Sequence, residues 1–544
     1  RERERERERE RMSGALRKSI QKKFKIRGYA LKVDALDDIV SSYLNHFPAD
    51  DLDDALDLLL DRIQFLSQKQ AVRSSIIGKD TTSRVISEIL KAGDAEEATN
   101  TVVSPSTALR VVDAFLVPKF RYDPIKKLFY QHNGHLPIHG DASAKTALYK
   151  DRFLLLSQRL LRDEYFSRPA FDTEMSHYGS CEISPIQSLV GQIGKKWVMG
   201  LISQLEDGHF YLEDLTASVE IDLSKAKIAT GLLSENTIVI AEGEMLPNGI
   251  FQVYTCGFPP LEEREKSYKI LGQHDFFGGG TLEKDEMLGL AALEKNAAND
   301  MFVVLSDIWL DDEDVMGKLK MVLSGFESQE VVPSLFVFMG NFCSRPCNLS
   351  FNSFASLRLQ FGNLGQLIES HPRIKAQSRF LFIPGPDDVG PSTVLPRCSL
   401  PNYLADELRK HIPNAIFSSN PCRVKFYTQE IVFFRHDLLY RMRRSCLMPP
   451  SLGETDDMFE HLVATITHQS HLCPLPLIVQ PIIWNYDHSL HLYPLPHTIV
   501  LGDKSEQKEF KYKGVTCFNP GSFANDNTFV VYRPCTREVE LSAL

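Results

Sequence analysis

The sequence predicts a multidomain α+β protein: a small N-terminal helical domain, a closed β-barrel, and a C-terminal α/β sandwich. Three observations predict it. Leu52, Ala55, Leu56, Leu59, Leu60 and Ile63 recur at the spacing of one helix face. Residues 186–260 break into short alternating strands separated by turn signals. From residue 285 onward, apolar strands end in small or polar residues, with helical stretches between them.

Taken in order, residues 1–11 alternate Arg and Glu ahead of the first methionine, Met12. They read as a disordered, solvated extension outside the fold. Residues 12–90 form the helical domain. Its first part is basic (Arg17, Lys18, Lys22, Lys23, Lys25, Arg27), with Leu16, Ile20, Phe24 and Ile26 at helical spacing. Its second part is acidic, with Asp50, Asp51, Asp53, Asp54, Asp57 and Asp61 outside the apolar stripe. Such runs form a solvated helix face or a docking surface for a partner protein. Residues 91–185 contain strand, turn and strand around Phe115–Phe129. They serve as a linker and as part of either the barrel or the sandwich, and both assignments stay open.

The barrel over 186–260 has predicted strands at Trp197–Leu205, Phe210–Leu215, Val219–Leu223, Ile238–Glu242 and Ile250–Cys256. Glu206-Asp207-Gly208 and Pro247-Asn248-Gly249 supply turns. Five short strands at this spacing fit an OB-type barrel. Barrels of this type that bind single strands combine aromatic platforms with a basic groove. Here the aromatics are present, but the stretch holds four lysines against nine acidic residues, so it reads mainly as a packing module. The sandwich over 285–544 has strands expected at Phe302–Leu305, Leu335–Met339, Phe380–Ile383, Ile431–Phe434, Leu477–Ile483, Thr498–Leu501 and Val515–Phe518. Helices are expected at 353–369 and 457–468.

Composition bounds the function. With 544 residues, 43% of them hydrophobic, the chain can bury several cores. No run of about 18 apolar residues crosses a membrane, and no apolar leader follows Met12, so a nuclear or cytosolic protein is expected. A net charge of -10 argues against DNA as the main partner, because phosphate neutralisation needs a basic surface. The ten cysteines include no C-x-x-C pair; Cys343 and Cys347 lie nearest each other, so paired zinc knuckles are not expected.

The predicted strand ends carry an ordered series of loops. They are Ser306-Asp307-Ile308-Trp309, Gly340-Asn341, Pro384-Gly385-Pro386-Asp387-Asp388, then His471, Gly502-Asp503-Lys504-Ser505, and Asn519-Pro520-Gly521-Ser522-Phe523. The layout resembles calcineurin-like metallophosphoesterases, whose loops hold two divalent metals that activate water and stabilise an in-line displacement. Position by position, the resemblance implies a degenerate site. Asp307 keeps the first acid, while Trp309 stands for the first histidine and Asn341 for the bridging aspartate. Pro386 and Asp387 stand for the asparagine and histidine of the third loop, and Asp503 and Ser505 for the last two histidines. His471 matches the lone histidine loosely. No catalytic residue, metal site or cofactor is expected. An active metal-dependent phosphoesterase or nuclease is the rival reading.

A small barrel followed by such an inactive domain, with Tyr211-Leu212-Glu213-Asp214, Gly257-Phe258-Pro259-Pro260, Phe276-Phe277-Gly278-Gly279, Asn420-Pro421-Cys422-Arg423 and Asn519-Pro520-Gly521-Ser522-Phe523, resembles the B-subunit family of replicative DNA polymerases. The N-terminal helical domain points to its epsilon branch. The resemblance implies a nuclear, non-catalytic accessory subunit in DNA replication. It also implies that barrel and sandwich hold the C-terminal zinc-binding region of the epsilon catalytic subunit. The N-terminal domain would reach the replicative helicase through the GINS complex, and DNA would be met at most weakly, through the complex.

Other features read blandly. Gly278-Gly279-Gly280 lacks the G-K-[ST] of a phosphate cradle and is a turn. No G-x-S-x-G elbow is present. Arg441, Arg443 and Arg444 form a basic cluster that is either solvated or meets DNA or an acidic partner. His468, His471, His488 and His491 crowd one region, where metal binding would require convergent geometry.

Overall fold

A computed structural model describes residues 108–167, 181–272, 274–347, 351–390, 393–450 and 453–544. It also describes positions 17, 20–25, 27, 29–39, 56, 59, 60, 76–78, 82 and 85. The chain divides into two compact units, residues 1–103 and 104–544.

In the first unit, β1 (Ala30–Leu31) pairs in parallel with β2 (Ile76–Ile77), and α1 (Val33–Asp38) follows β1. Ile20, Phe24, Leu56, Leu59 and Leu60 are buried, as the helical spacing requires. The Arg-Glu tract, the Asp50–Asp61 charges, and Leu52, Ala55 and Ile63 lie outside the described residues.

The second unit opens with β3 (Leu109–Asp113) and a hairpin of β4 (Phe120–Asp123) and β5 (Leu128–Gln131). Helix α2 (Ala142–Leu160) starts where the Asp141 carboxylate accepts the Ala144 N–H at 3.0 Å. The barrel consists of β6 (Lys196–Glu206), β7 (His209–Glu213), β8 (Ser218–Asp222), β9 (Lys227–Ile228), β10 (Ile238–Met245) and β11 (Phe251–Gly257). Strands β6, β7 and β8 form an antiparallel meander and β11 joins β8 in parallel. Strand β10 then pairs with both β11 and β6, closing five strands into an OB-type barrel. Its interior is Val198, Ile202, Leu212, Ile221, Val239, Phe251 and Val253. At the β10 bulge, Gly243 is required: a Cβ there would lie 2.3 Å from the Gln252 carbonyl oxygen.

The remaining chain forms a four-layer sandwich. One sheet has the order β15-β14-β13-β12-β21-β22, from β12 (Phe302–Ser306), β13 (Leu335–Met339), β14 (Arg379–Ile383), β15 (Ile416–Phe417), β21 (Thr528–Arg533) and β22 (Glu538–Ala543). The other runs β19-β20-β18-β17-β16-β3. It is built from β16 (Cys422–Phe426), β17 (Gln429–Arg435), β18 (Thr498–Gly502), β19 (Lys508–Tyr512) and β20 (Val515–Asn519), with β3 at its edge. The central strands are buried on both faces, which is why they read as continuous apolar runs. Phe302, Val304, Val337 and Leu381 meet Val424, Ile431, Phe433, Val500 and Phe518 between the sheets.

Helices α3 (Glu313–Glu327), α4 (Phe351–Glu369) and α5 (Asn402–Arg409) cover the outside of the first sheet through Leu319, Leu323, Phe361, Leu404 and Leu408. Helices α6 (Leu438–Arg444) and α7 (Met458–His468) cover the second through Leu438, Met442, Leu462 and Ile466. Truncating a buried ring such as Phe361 to alanine costs about 3–5 kcal/mol.

Two expectations change. Residues 477–483 form no strand; only Ile482 bridges to Leu395. Pro481 interrupts the run, Pro474 and Pro476 precede it, and prolines cannot donate to a ladder. The described part of residues 91–185 (108–167 and 181–185) meets both halves of the second unit. Strand β3 completes the second sheet by pairing with β16, whereas Leu156 and Leu160 of α2 pack on Met199, Ile238 and Ile240 of the barrel.

The barrel is also sewn to α7. The His461 Nδ1 accepts the Gly231 N–H at 2.9 Å, and the Thr465 Oγ1 accepts the Leu232 N–H at 2.8 Å. Buried Arg159 of α2 spans the seam, donating to the Ser470 Oγ at 2.7 Å, the His468 carbonyl at 2.6 Å and the Pro259 carbonyl at 3.1 Å.

Candidate functional site: a guanidinium among the strand ends

Parallel strands of both sheets finish at one place, and their loops converge there, as ligand-binding loops do in open α/β sheets. Strand β12 delivers Asp307, β13 delivers Gly340 and Asn341, β17 delivers Arg435, and β18 delivers Gly502 and Asp503.

Arg435 is fully buried and occupies the centre. Its Nη2 donates to the Asp307 Oδ1 at 2.6 Å and its Nε to the Gly340 carbonyl at 2.6 Å. Its Nη1 donates to the Gly502 carbonyl at 2.9 Å and the Asp437 Oδ1 at 2.8 Å. Burial pulls the guanidinium pKa down, and the Asp307 and Asp437 carboxylates more than reverse this, leaving it above its ordinary value. Asp307 adopts a left-handed φ of 57°, which Asp tolerates, and its Oδ1 also accepts the Asn341 N–H at 3.0 Å.

The other predicted positions are engaged with one another. Asn341 and Asp387 bond reciprocally: the Asn341 Nδ2 donates to the Asp387 Oδ2 at 3.1 Å, and the Asp387 N–H donates to the Asn341 Oδ1 at 3.0 Å. The Pro386 carbonyl accepts from Arg397 at 2.9 Å. Asp503 accepts the Leu439 N–H and the Ser505 N–H, each at 2.9 Å, so both its oxygens serve loop and helix amides. Burial raises its pKa. Ser505 accepts from the Asn519 Nδ2 at 3.1 Å. Trp309 is half-buried and packs on the first sheet's outer core. Asp388, one residue beyond those singled out, is buried and accepts the Phe342 and Gly385 N–H groups, each at 2.7 Å; burial pushes its pKa up to about 6.

These residues do not fit a pair of divalent metals. A cation already bonds Asp307; Asn341 and Asp387 satisfy each other; and Asp503 is spent on backbone amides. Putting a metal here would require expelling a guanidinium that makes four hydrogen bonds in a buried pocket.

His471 does not join the strand ends. Its Nε2 donates to the Asp487 Oδ1 at 3.2 Å and its Nδ1 accepts the Cys473 N–H at 3.0 Å. His491 meets the same carboxylate at 3.1 Å. Among the described residues, His471, Asp487 and His491 are the one His/Cys/Asp/Glu group with ligand atoms within 4.8 Å of one another. Arg152, however, grips Asp487 with two bonds, at 3.0 and 2.5 Å. The Nδ1 bond fixes the proton of His471 on Nε2, which leaves no lone pair there for a metal. Of the other two histidines, His468 serves the barrel seam and His488 bonds the Val117 carbonyl at 3.0 Å. Arg435 lies one residue beyond the strand read from the sequence, which ends at Phe434. Its signal is Arg435-His436-Asp437, three polar residues in a row at the end of an apolar strand.

Comparison with known proteins places these domains. The family described as the DNA polymerase alpha/epsilon B subunit matches residues 302–511. The DNA polymerase epsilon subunit 2-like OB-fold domain matches 142–260, and the DNA polymerases epsilon N-terminal family matches 12–89. The DNA polymerase epsilon B subunit of Arabidopsis thaliana is 68% identical over 528 residues, which cover 97% of this chain and 99% of that protein. The DNA polymerase epsilon subunit 2 of Homo sapiens is 34% identical over 539 residues, covering 97% and 98%. The corresponding B subunit of Schizosaccharomyces pombe is 30% identical over 485 residues, covering 86% and 81%.

Proposed function

The chain belongs to the B-subunit family of DNA polymerase epsilon, and we propose that within the polymerase it is a non-catalytic nuclear scaffold that works through the faces of its barrel and sandwich. One observation carries this reading: the buried Arg435 guanidinium sits among the strand-end loops that resemble a phosphoesterase's metal loops, and bonds Asp307 at 2.6 Å. A site closed by an internal ion pair cannot bind and polarise a phosphodiester.

In this reading, barrel and sandwich hold the C-terminal zinc-binding region of the epsilon catalytic subunit. The seam through Arg159, His461 and Thr465 supports it, because it joins the two domains by hydrogen bonds into one surface. The N-terminal domain tethers the polymerase to the replicative helicase through GINS. The alternation of basic and acidic stretches between Met12 and Leu90 supports that role, since opposed charges steer docking and fix its register.

The test is co-purification of the full chain with the C-terminal region of the epsilon catalytic subunit. It is paired with metal analysis of the chain alone and an assay on a chromogenic phosphodiester. A one-to-one complex, with neither bound divalent metal nor turnover, is expected. About two divalent ions per chain with metal-dependent turnover would restore the enzyme reading. Deleting residues 12–90 should abolish retention on GINS without disturbing the complex with the catalytic partner; undiminished retention would sink the tether.

A further inference from the structure

Helix α6 and the turn beside it expose a surface that the scaffold reading does not use. Arg441, Arg443 and Arg444 lie in the last turn of this helix. Arg443 and Arg444 are exposed. Arg441 donates to the Val479 carbonyl at 3.4 Å and the Gln480 Oε1 at 2.9 Å, and Arg444 donates to the Tyr440 hydroxyl at 3.3 Å. Among the described residues, none of these three guanidiniums meets a carboxylate, in a chain whose net charge is -10. Complementing the helix dipole accounts for cations at this end. It does not account for the apolar groups beside them, because Tyr440 is 66% exposed and Ile478 91%.

The turn that carries Ile478 is built rather than slack. The Val479 and Gln480 N–H groups both close onto the Pro476 carbonyl at 2.9 Å. The buried Gln480 side chain bonds His436 at 2.8 Å and the Thr393 and Pro481 carbonyls. Ile478 and Val479 are therefore held out toward solvent beside Arg441, which bonds the Val479 carbonyl, and little ordering would be lost on contact.

We propose that Tyr440, Arg441, Arg443, Arg444, Ile478 and Val479 form a docking surface for an acidic protein segment that also carries an aliphatic or aromatic side chain. Charge complementarity selects the acidic segment, and the aliphatic pair selects protein over nucleic acid, since a phosphate backbone has no use for Ile478 or Val479. The surface does not depend on the scaffold assignment, because binding is read on the full chain alone.

The experiment titrates the full chain against three labelled probes: a twelve-residue glutamate-rich peptide bearing one Phe and one Leu, the same peptide with both replaced by glutamate, and a twelve-nucleotide single strand. The first should bind, with an affinity that falls as salt rises. The paired change R443E/R444E should weaken it at least about ten-fold, and I478S should weaken it several-fold while leaving the all-glutamate peptide unaffected. Both variants alter exposed side chains and should melt at the parent temperature. No binding of the first peptide, binding indifferent to R443E/R444E, or tighter binding of the oligonucleotide would each overturn the proposal.

Discussion

Gln469, at the end of helix α7, bonds Ile238 at the start of barrel strand β10 twice: its Oε1 accepts the Ile238 N–H at 2.9 Å, and its Nε2 donates to the Ile238 carbonyl at 2.7 Å. One side chain thus satisfies both backbone groups of a buried residue in the neighbouring domain. Gln469→Ala leaves both unmet and should cost about 1–3 kcal/mol in denaturant unfolding. Amide exchange in β10 should rise more than in the sheets. Unchanged stability with unchanged β10 exchange would show that the pair carries no weight.

Arg435→Met should destabilise by about 3–5 kcal/mol, because it strands the buried Asp307 carboxylate. Adding Asp307→Asn should recover part of that loss. Equal unfolding free energies for the single and double variants would mean that the charge pair is not what the site depends on.

Asp487→Asn tests the histidine cluster. It leaves the buried Arg152 without its counter-ion and should also cost about 3–5 kcal/mol. Zinc added to the parent chain near neutral pH should not raise its melting temperature; a saturable rise lost in His471→Asn would reinstate a metal site.

Acid should unfold the second unit early. Burial holds His436 and His468 down to about 4, and His471 and His488 down to about 3. A histidine pKa depressed in the folded state contributes stability that is complete above its unfolded value and is lost as pH falls below about 6.5. Asp388, raised to about 6, acts oppositely and favours folding as pH falls. His497 is likewise held well below its ordinary value, while Asp503, Asp151 and Asp300, raised by burial, side with Asp388. The five histidines outweigh these carboxylates, so stability falls as pH drops from about 6.5 to about 5. Melting temperature against pH measures it; a flat profile from pH 6.5 to 5 would contradict the buried neutral histidines.

Much of this architecture is written in local pattern. The doubly buried strands Phe302–Ser306 and Leu335–Met339 announce themselves as apolar runs, and the barrel strands alternate between marked turns. Helix α2 is hard to read because its inner face buries Arg152, Gln158 and Arg159 among its leucines, which breaks the apolar stripe. The two arginines are satisfied by residues far along the chain, such as Asp487 and Ser470. At the candidate site, Trp309 and Pro386 are visible in the sequence as residue types that offer a metal no ligand. What fills the space is not, because Arg435 acts through partners that only folding brings together.

The edge strand β3 lies ahead of the barrel in sequence yet pairs with β16, residues 109–113 against 422–426. The barrel is thus spliced into the sandwich, and synthesis on the ribosome imposes an order on assembly. At about 5–20 residues per second, the roughly 300 residues between the two strands take about 15–60 s to emerge. The barrel's strands are complete within that interval, while β3 waits for its partner. A fragment that begins after the barrel lacks β3 altogether and leaves β16 as a bare edge open to another chain. Dividing this polypeptide into its two apparent domains therefore calls for supplying Leu109–Asp113 in trans.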